Sequence, residues 1–160
     1  MNGLDVAQLR REVVLPTLQY LELWSPAAEN LVIGTAAHES GGCRYLAQIG
    51  GPALGLFQIE PATHDDLWAN FLAYRAELRA KTAALASVWP ERVLQLATNL
   101  SYATAICRLI YYRAPDPLPP ADDVEGLAHY WKRFYNTEHG RGTEAQWAQH
   151  YLEHVRPALT

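Results

Sequence analysis

The chain has 160 residues, 49% of them hydrophobic and 19% charged. That is enough apolar material for one sizeable core, and it is unlike the composition of a disordered or fibrous chain. The net charge of -4 and the pI near 5.8 argue against a nucleic-acid binder, and the basic residues Arg10-Arg11 and Lys132-Arg133 stand only as isolated pairs.

No run is long and apolar enough to span a membrane. Met1 to Arg11 carries Asp5, Arg10 and Arg11 without the apolar stretch of a Sec signal peptide. The expectation is a product made in the cytoplasm and, if its target lies outside, delivered there by other means. Cys43 and Cys107 lie far apart, do not form a metal-type pair, and are expected as two reduced thiols.

In chain order, Asp5 caps a first helix whose apolar face is Val6, Leu9, Val13 and Val14. Pro16 predicts a kink or a fresh start. Ser25-Pro26 is a strong start signal, a hydroxyl at the cap and proline in the first turn. The second helix should run to His38 or Glu39 and stop at Gly41-Gly42. Residues 41–55 read as a loop or short irregular hairpin, and Leu56 to Ile59 as a brief extended piece. Pro61 opens another helical region, with a break expected near Ala69 to Leu72. Trp89-Pro90 predicts the start of a long helix carrying Val93, Leu94, Ala97, Leu100, Ala103, Ile106 and Ile110. The run Ala114 to Pro120 is a stiff proline linker. Asp122-x-x-Glu125 and Thr143-x-x-Gln146 are capping-box patterns that begin the last two helices. The fold class is mainly α, one domain over residues 1–160.

The stretch from His38 to Thr63 carries the chemistry. Glu39 ends a helix made of small and apolar residues, Ala27 to Ala37. A carboxylate is disfavoured both by a helix C-terminus and by apolar surroundings, and such local conflict points to function. A glycine-rich, charge-poor loop follows and can bring backbone close to a ligand. Together these features predict a carboxylic acid of raised pKa facing a groove.

The motif Glu39-Ser40-Gly41, followed after a loop by Gly55-Leu56-Phe57-Gln58-Ile59 and later Pro61 and Thr63, resembles the lytic transglycosylases of the soluble (SLT) type, with their lysozyme-like fold. Asn99 and the pair Tyr135-Asn136 complete the pattern in the family's order. Phe57 stands where the family usually has Met. After Asn136 the family's Ala-Gly is replaced by Thr137-Glu138-His139-Gly140-Arg141-Gly142, which puts a charged residue near the groove.

The resemblance implies that Glu39 is the catalytic acid and base on peptidoglycan glycan strands, with a 1,6-anhydro product. It implies substrate contacts from Ser40, Phe57, Gln58, Tyr135 and Asn136, with Tyr135 also bonding Glu39. No cofactor or metal is implied. Small leaderless domains of this type are found in phage virions and lysis cassettes, which makes virion components candidate partners. Two other readings stay open. One is a muramidase that hydrolyses the same bond with a second carboxylate, for which Glu60, Asp65 and Asp66 are candidates. The other is a virion structural or glycan-binding protein without turnover. Tyr45 is a candidate groove wall. His150 and His154 are four apart, but Tyr-Leu-Glu between them is not a zincin pattern. His38 is expected to point away from Glu39.

Overall fold

The computed structural model describes residues 3–136 and 140–160. It is mainly helical, and among the described residues there is no β-strand, only isolated bridges pairing Ala47 with Leu54 and Leu54 with Ile59. None of the described helices is long and apolar enough to cross a membrane. Thr137 to His139, in the turn that departs from the family pattern, lie outside the described residues.

The first helical segment is α1 (Val6–Gln8), a wider π-helical turn (Leu9–Val14) and α2 (Leu15–Tyr20). Asp5 caps it through the Gln8 N–H at 2.9 Å. The break in helical register falls just ahead of Pro16, which lacks the N–H that would continue the ladder. The central helix is α3 (Pro26–Glu39), capped as expected by Ser25 on the Ala28 N–H at 3.1 Å. Residues from Ala28 to Ala37 are buried on nearly every side, apart from Asn30, the pattern of a helix enclosed by others. Among the described residues one carboxylate lies fully inside, Glu29, and it is held by Arg10 and by the Trp24 indole N–H. Gly41 and Gly42 take left-handed φ values of 59° and 78°, and the Gly42 N–H closes on the Ala37 carbonyl at 2.8 Å.

Next come α4 (Pro61–Asn70), a 3-10 turn at Leu72–Tyr74 and α5 (Ala76–Leu85), so the expected break near Ala69 to Leu72 is present. The expected long helix from Pro90 is not continuous. A 3-10 turn (Arg92–Leu94) and α6 (Gln95–Thr98) precede α7 (Leu100–Tyr112). Asn99 causes the break. Its backbone is extended, its Oδ1 accepts from the Tyr102 N–H at 3.0 Å, and its amide donates to the Leu85 carbonyl at 2.9 Å. Such a side chain competes with the backbone ladder and favours a cap over a helix interior.

The proline run is fastened at its start, where the Tyr130 hydroxyl donates to the Asp116 carbonyl and Arg133 pairs with the Asp116 carboxylate. α8 (Val124–Trp131) is capped by Asp123 rather than Asp122, through the Gly126 N–H at 2.9 Å. It widens into a π-helical turn at Lys132–Asn136. Thr143 and Gln146 form the expected capping box of α9 (Glu144–His150), and the chain continues helically through Leu159. The core joins α3 and α7 to Trp131, Trp147, Phe57 and Leu56. Cys43 and Cys107 are buried and free.

Asn99 therefore caps α7 and holds the last carbonyl of α5 at once. Asn99→Ala should lower stability by about 1–3 kcal/mol, through a lost cap and an unpaired Leu85 carbonyl. Urea unfolding measures this, and a loss below about 0.5 kcal/mol would contradict the account.

Candidate active site

Four of the sequence-predicted residues meet in one cleft. The C-terminus of α3 supplies Glu39, the loop before α4 supplies Gln58, and the widened turn after α8 supplies Tyr135 and Asn136. The cleft holds about 730 Å³, within the range of ordinary ligand sites. Tyr45, Gln48, Ile49, Arg141 and Gly142 lie in the lining as well.

The Glu39 carboxylate accepts one hydrogen bond, from the Trp131 indole N–H at 2.9 Å. No described cation offsets its burial, which pushes the carboxyl up to about 7 against the opposing pull of the Trp131 bond. Relative to its ordinary 4.5, that amounts to about 3 kcal/mol in favour of the protonated form. At neutral pH, about half of the molecules carry a proton there.

Gln58 sits at a φ of 47°, unusual for a residue with a side chain. The tight turn around it depends on Gly55, at φ 79°, where an added Cβ would meet the Leu96 carbonyl oxygen at 1.8 Å. The Gln58 side chain donates to the Gly55 carbonyl at 2.8 Å. That is its one side-chain bond among the described residues, so one N–H and the amide oxygen are left for a ligand in the cleft that Gln58 lines.

Tyr135 does not bond Glu39. Its hydroxyl donates to the Phe57 carbonyl, and its ring stacks on Tyr111 with centroids 5.1 Å apart. Asn136 accepts from Lys132 at 2.7 Å, and the same ammonium donates to the carbonyls of Gly140 and Gly142. Lys132 thus ties the cleft wall together, and among the described residues the Asn136 amide nitrogen makes no hydrogen bond.

Two of the expected contact residues lie elsewhere. Ser40 is fully buried, and its hydroxyl turns back to the Ala36 carbonyl at 2.6 Å, the usual resting place of a hydroxyl late in a helix. The Phe57 ring is 1% exposed and belongs to the core, so Phe57 serves the site through its backbone carbonyl. Of the candidate second carboxylates, Glu60 lines the cleft. Asp65 is occupied by His64, and Asp66 by Arg113 and Asn70.

Sequence reasoning missed three residues. Trp131, the partner of Glu39, stands four before Tyr135 in the same helical run, and that spacing was the available signal. Lys132 gave no signal. His38, not expected to pair with Glu39, makes no bond to it among the described residues, but it lines the cleft and packs edge-on to Trp131 at 4.6 Å between centroids. Asn99 stays outside the site as a helix cap, and Tyr45 lines the cleft as a half-exposed ring.

The raised Glu39 value links to stability with a definite sign. Between about pH 4.5 and 7 the folded chain binds more protons at Glu39 than the unfolded chain does, so this group's contribution falls as pH rises through that window and is flat above it. Glu39→Gln keeps an acceptor for Trp131 and removes the charge. It should be more stable than the wild type by about 2–3 kcal/mol at pH 8 and close to it at pH 4. Denaturant unfolding at both pH values measures this, and equal stability at pH 8 would contradict the burial of the charge. No protein-family model, curated protein or solved structure matches this chain.

Proposed function

We propose that this protein is a peptidoglycan lytic transglycosylase of lysozyme-like architecture, with Glu39 acting in turn as acid and base. The observation that carries the reading is the Glu39 carboxyl, mostly buried without an ion-pair partner among the described residues, pushed up to about 7, and lining a cleft with amide and aromatic side chains. The motif order Glu39-Ser40-Gly41, Gly55 to Thr63 and Tyr135-Asn136 supports the same choice.

In the first step protonated Glu39 gives its proton to the glycosidic oxygen between N-acetylmuramic acid and N-acetylglucosamine. The bond from that oxygen to the anomeric carbon breaks, and the N-acetylglucosamine side leaves as an alcohol. In the second step the Glu39 carboxylate takes the proton of the muramic acid 6-hydroxyl as that oxygen bonds to the anomeric carbon. The proton is returned, no water is consumed, and the product is a 1,6-anhydro sugar. A carboxyl near 7 suits both halves, because the donor and acceptor forms are comparably populated near neutral pH. Gln58 and Asn136 present amide groups suited to the acetamido substituents of the sugars.

Glu60 in the same cleft favours one second reading, hydrolysis of the same bond with Glu60 activating a water. A glycan-binding role without turnover is the remaining alternative.

Digestion of purified sacculi with mass analysis of the fragments separates the three. The proposal expects anhydromuropeptides; reducing ends would establish hydrolysis; intact sacculi that still bind the protein would establish a binding role. Glu39→Gln should lower turnover by about 10²–10⁴-fold. Since the acid form starts the reaction, the rate should fall about tenfold per pH unit above about 7. A rate flat to pH 9 would contradict Glu39 as the proton donor.

A further inference from the structure

His38 and His150 meet Nδ1 to Nδ1 at 2.8 Å, across 112 residues of sequence. Two neutral imidazoles can make such a bond only when one ring carries its hydrogen on Nδ1 and the other leaves that nitrogen bare. The bond joins α9 to the last turn of α3, in the residue next to Glu39. The His38 ring lies edge-on to Trp131, with ring planes at 72°, and Trp131 is fully buried with its N–H on Glu39. An unbroken chain of contacts therefore runs from α9 to the carboxyl: His150, His38, Trp131, Glu39.

We propose that His150 is a positioning residue for Glu39, acting through His38 and Trp131. This rests on the role given to Glu39 above. Trp131 is fully buried, and the His38 ring is one of the groups packed on its edge that set the indole direction. While His38 is tied to His150, that ring cannot turn. Once the tie is cut, the half-buried His38 nitrogen must find another partner, and the ring swings off the indole.

The pair is neutral near pH 7. Burial, then the neighbouring His150, holds His38 down to about 4, and burial, then His154, lowers His150. Among the described residues, these charged or titratable groups lie near the pair. His154 is 6.2 Å from His150, with Glu153 beside it. The Lys132 ammonium is 6.0 Å from the Trp131 ring, and Arg141 and Glu39 share the cleft with His38. Only double protonation forces both Nδ1 atoms to be donors, so the tie holds throughout the working range of a carboxyl near 7.

The test uses the full chain with carbon-13-labelled glutamate side chains, in wild type, His150→Phe and His150→Asn. Phenylalanine keeps ring volume and removes the nitrogen. Asparagine sets an amide where Nδ1 was, able to donate or accept. NMR titration of the Glu39 carboxyl and the shift of the Trp131 indole proton are the readouts. In His150→Phe the indole bond weakens while the carboxyl stays buried, so the Glu39 midpoint rises by about 0.5–1 pH unit and the indole proton moves upfield. Turnover on soluble glycan strands falls roughly tenfold or more with little change in KM. His150→Asn restores both. A folded His150→Phe with the wild-type midpoint and indole shift overturns the proposal, as does an Asn variant that behaves like Phe. If the Phe variant does not fold, His150→Ala is read by the same indole shift and the same Asn rescue. The titration needs no substrate, so inert sacculi would count against the proposed function alone.

Discussion

One carboxyl group, taken out of water and given a single N–H partner, is the constraint on which the site depends. Among the described residues Glu39 has no neighbouring cation to hold its charge, so burial decides its protonation, and Trp131 offsets that only in part. Everything around it serves to keep the water away or the partner still. α3 is enclosed by other helices, α7 brings Tyr111 under Tyr135, and Lys132 clamps the wall that Asn136 belongs to. The same arrangement costs stability at neutral pH. A glutamine in that place would accept from the same indole without the cost of a buried charge, and that local conflict is what the proposed function accounts for.

Much of the fold was legible because it is written in local signals. Ser25-Pro26, Asp5, Gly41-Gly42 and the Thr143 capping box mark helix ends by mechanisms confined to a few residues. The errors arose where a distant partner decides. Val93 to Ile110 keeps near-helical apolar spacing, yet Asn99 breaks it to reach Leu85, far back in the chain. The shift of the α8 cap from Asp122 to Asp123 is a choice between adjacent equivalents, which spacing does not resolve.

The site divides in the same way. Glu39, Gln58, Tyr135 and Asn136 could be named from motif order, and the fold brings them to one cleft. Their hydrogen bonds could not be read, because each depends on tertiary contact. Tyr135 bonds a backbone carbonyl where a carboxylate was expected, Ser40 turns inward, and the indole that meets Glu39 comes from a residue that reads in sequence as one more core aromatic. On the proposed function, this division has a consequence. The residues that touch sugar sit on a loop and a widened turn, whereas the group that moves the proton is held by packed helices.

The central claim is that Glu39 keeps its proton near neutral pH. Infrared difference spectra between about pH 5 and pH 9, wild type against Glu39→Gln, test it most directly. The account predicts a carboxylic acid carbonyl band in the wild type that disappears with a midpoint near 7 and is missing from the variant. A band already lost by about pH 5, at the ordinary range of a solvated carboxylate, would contradict it.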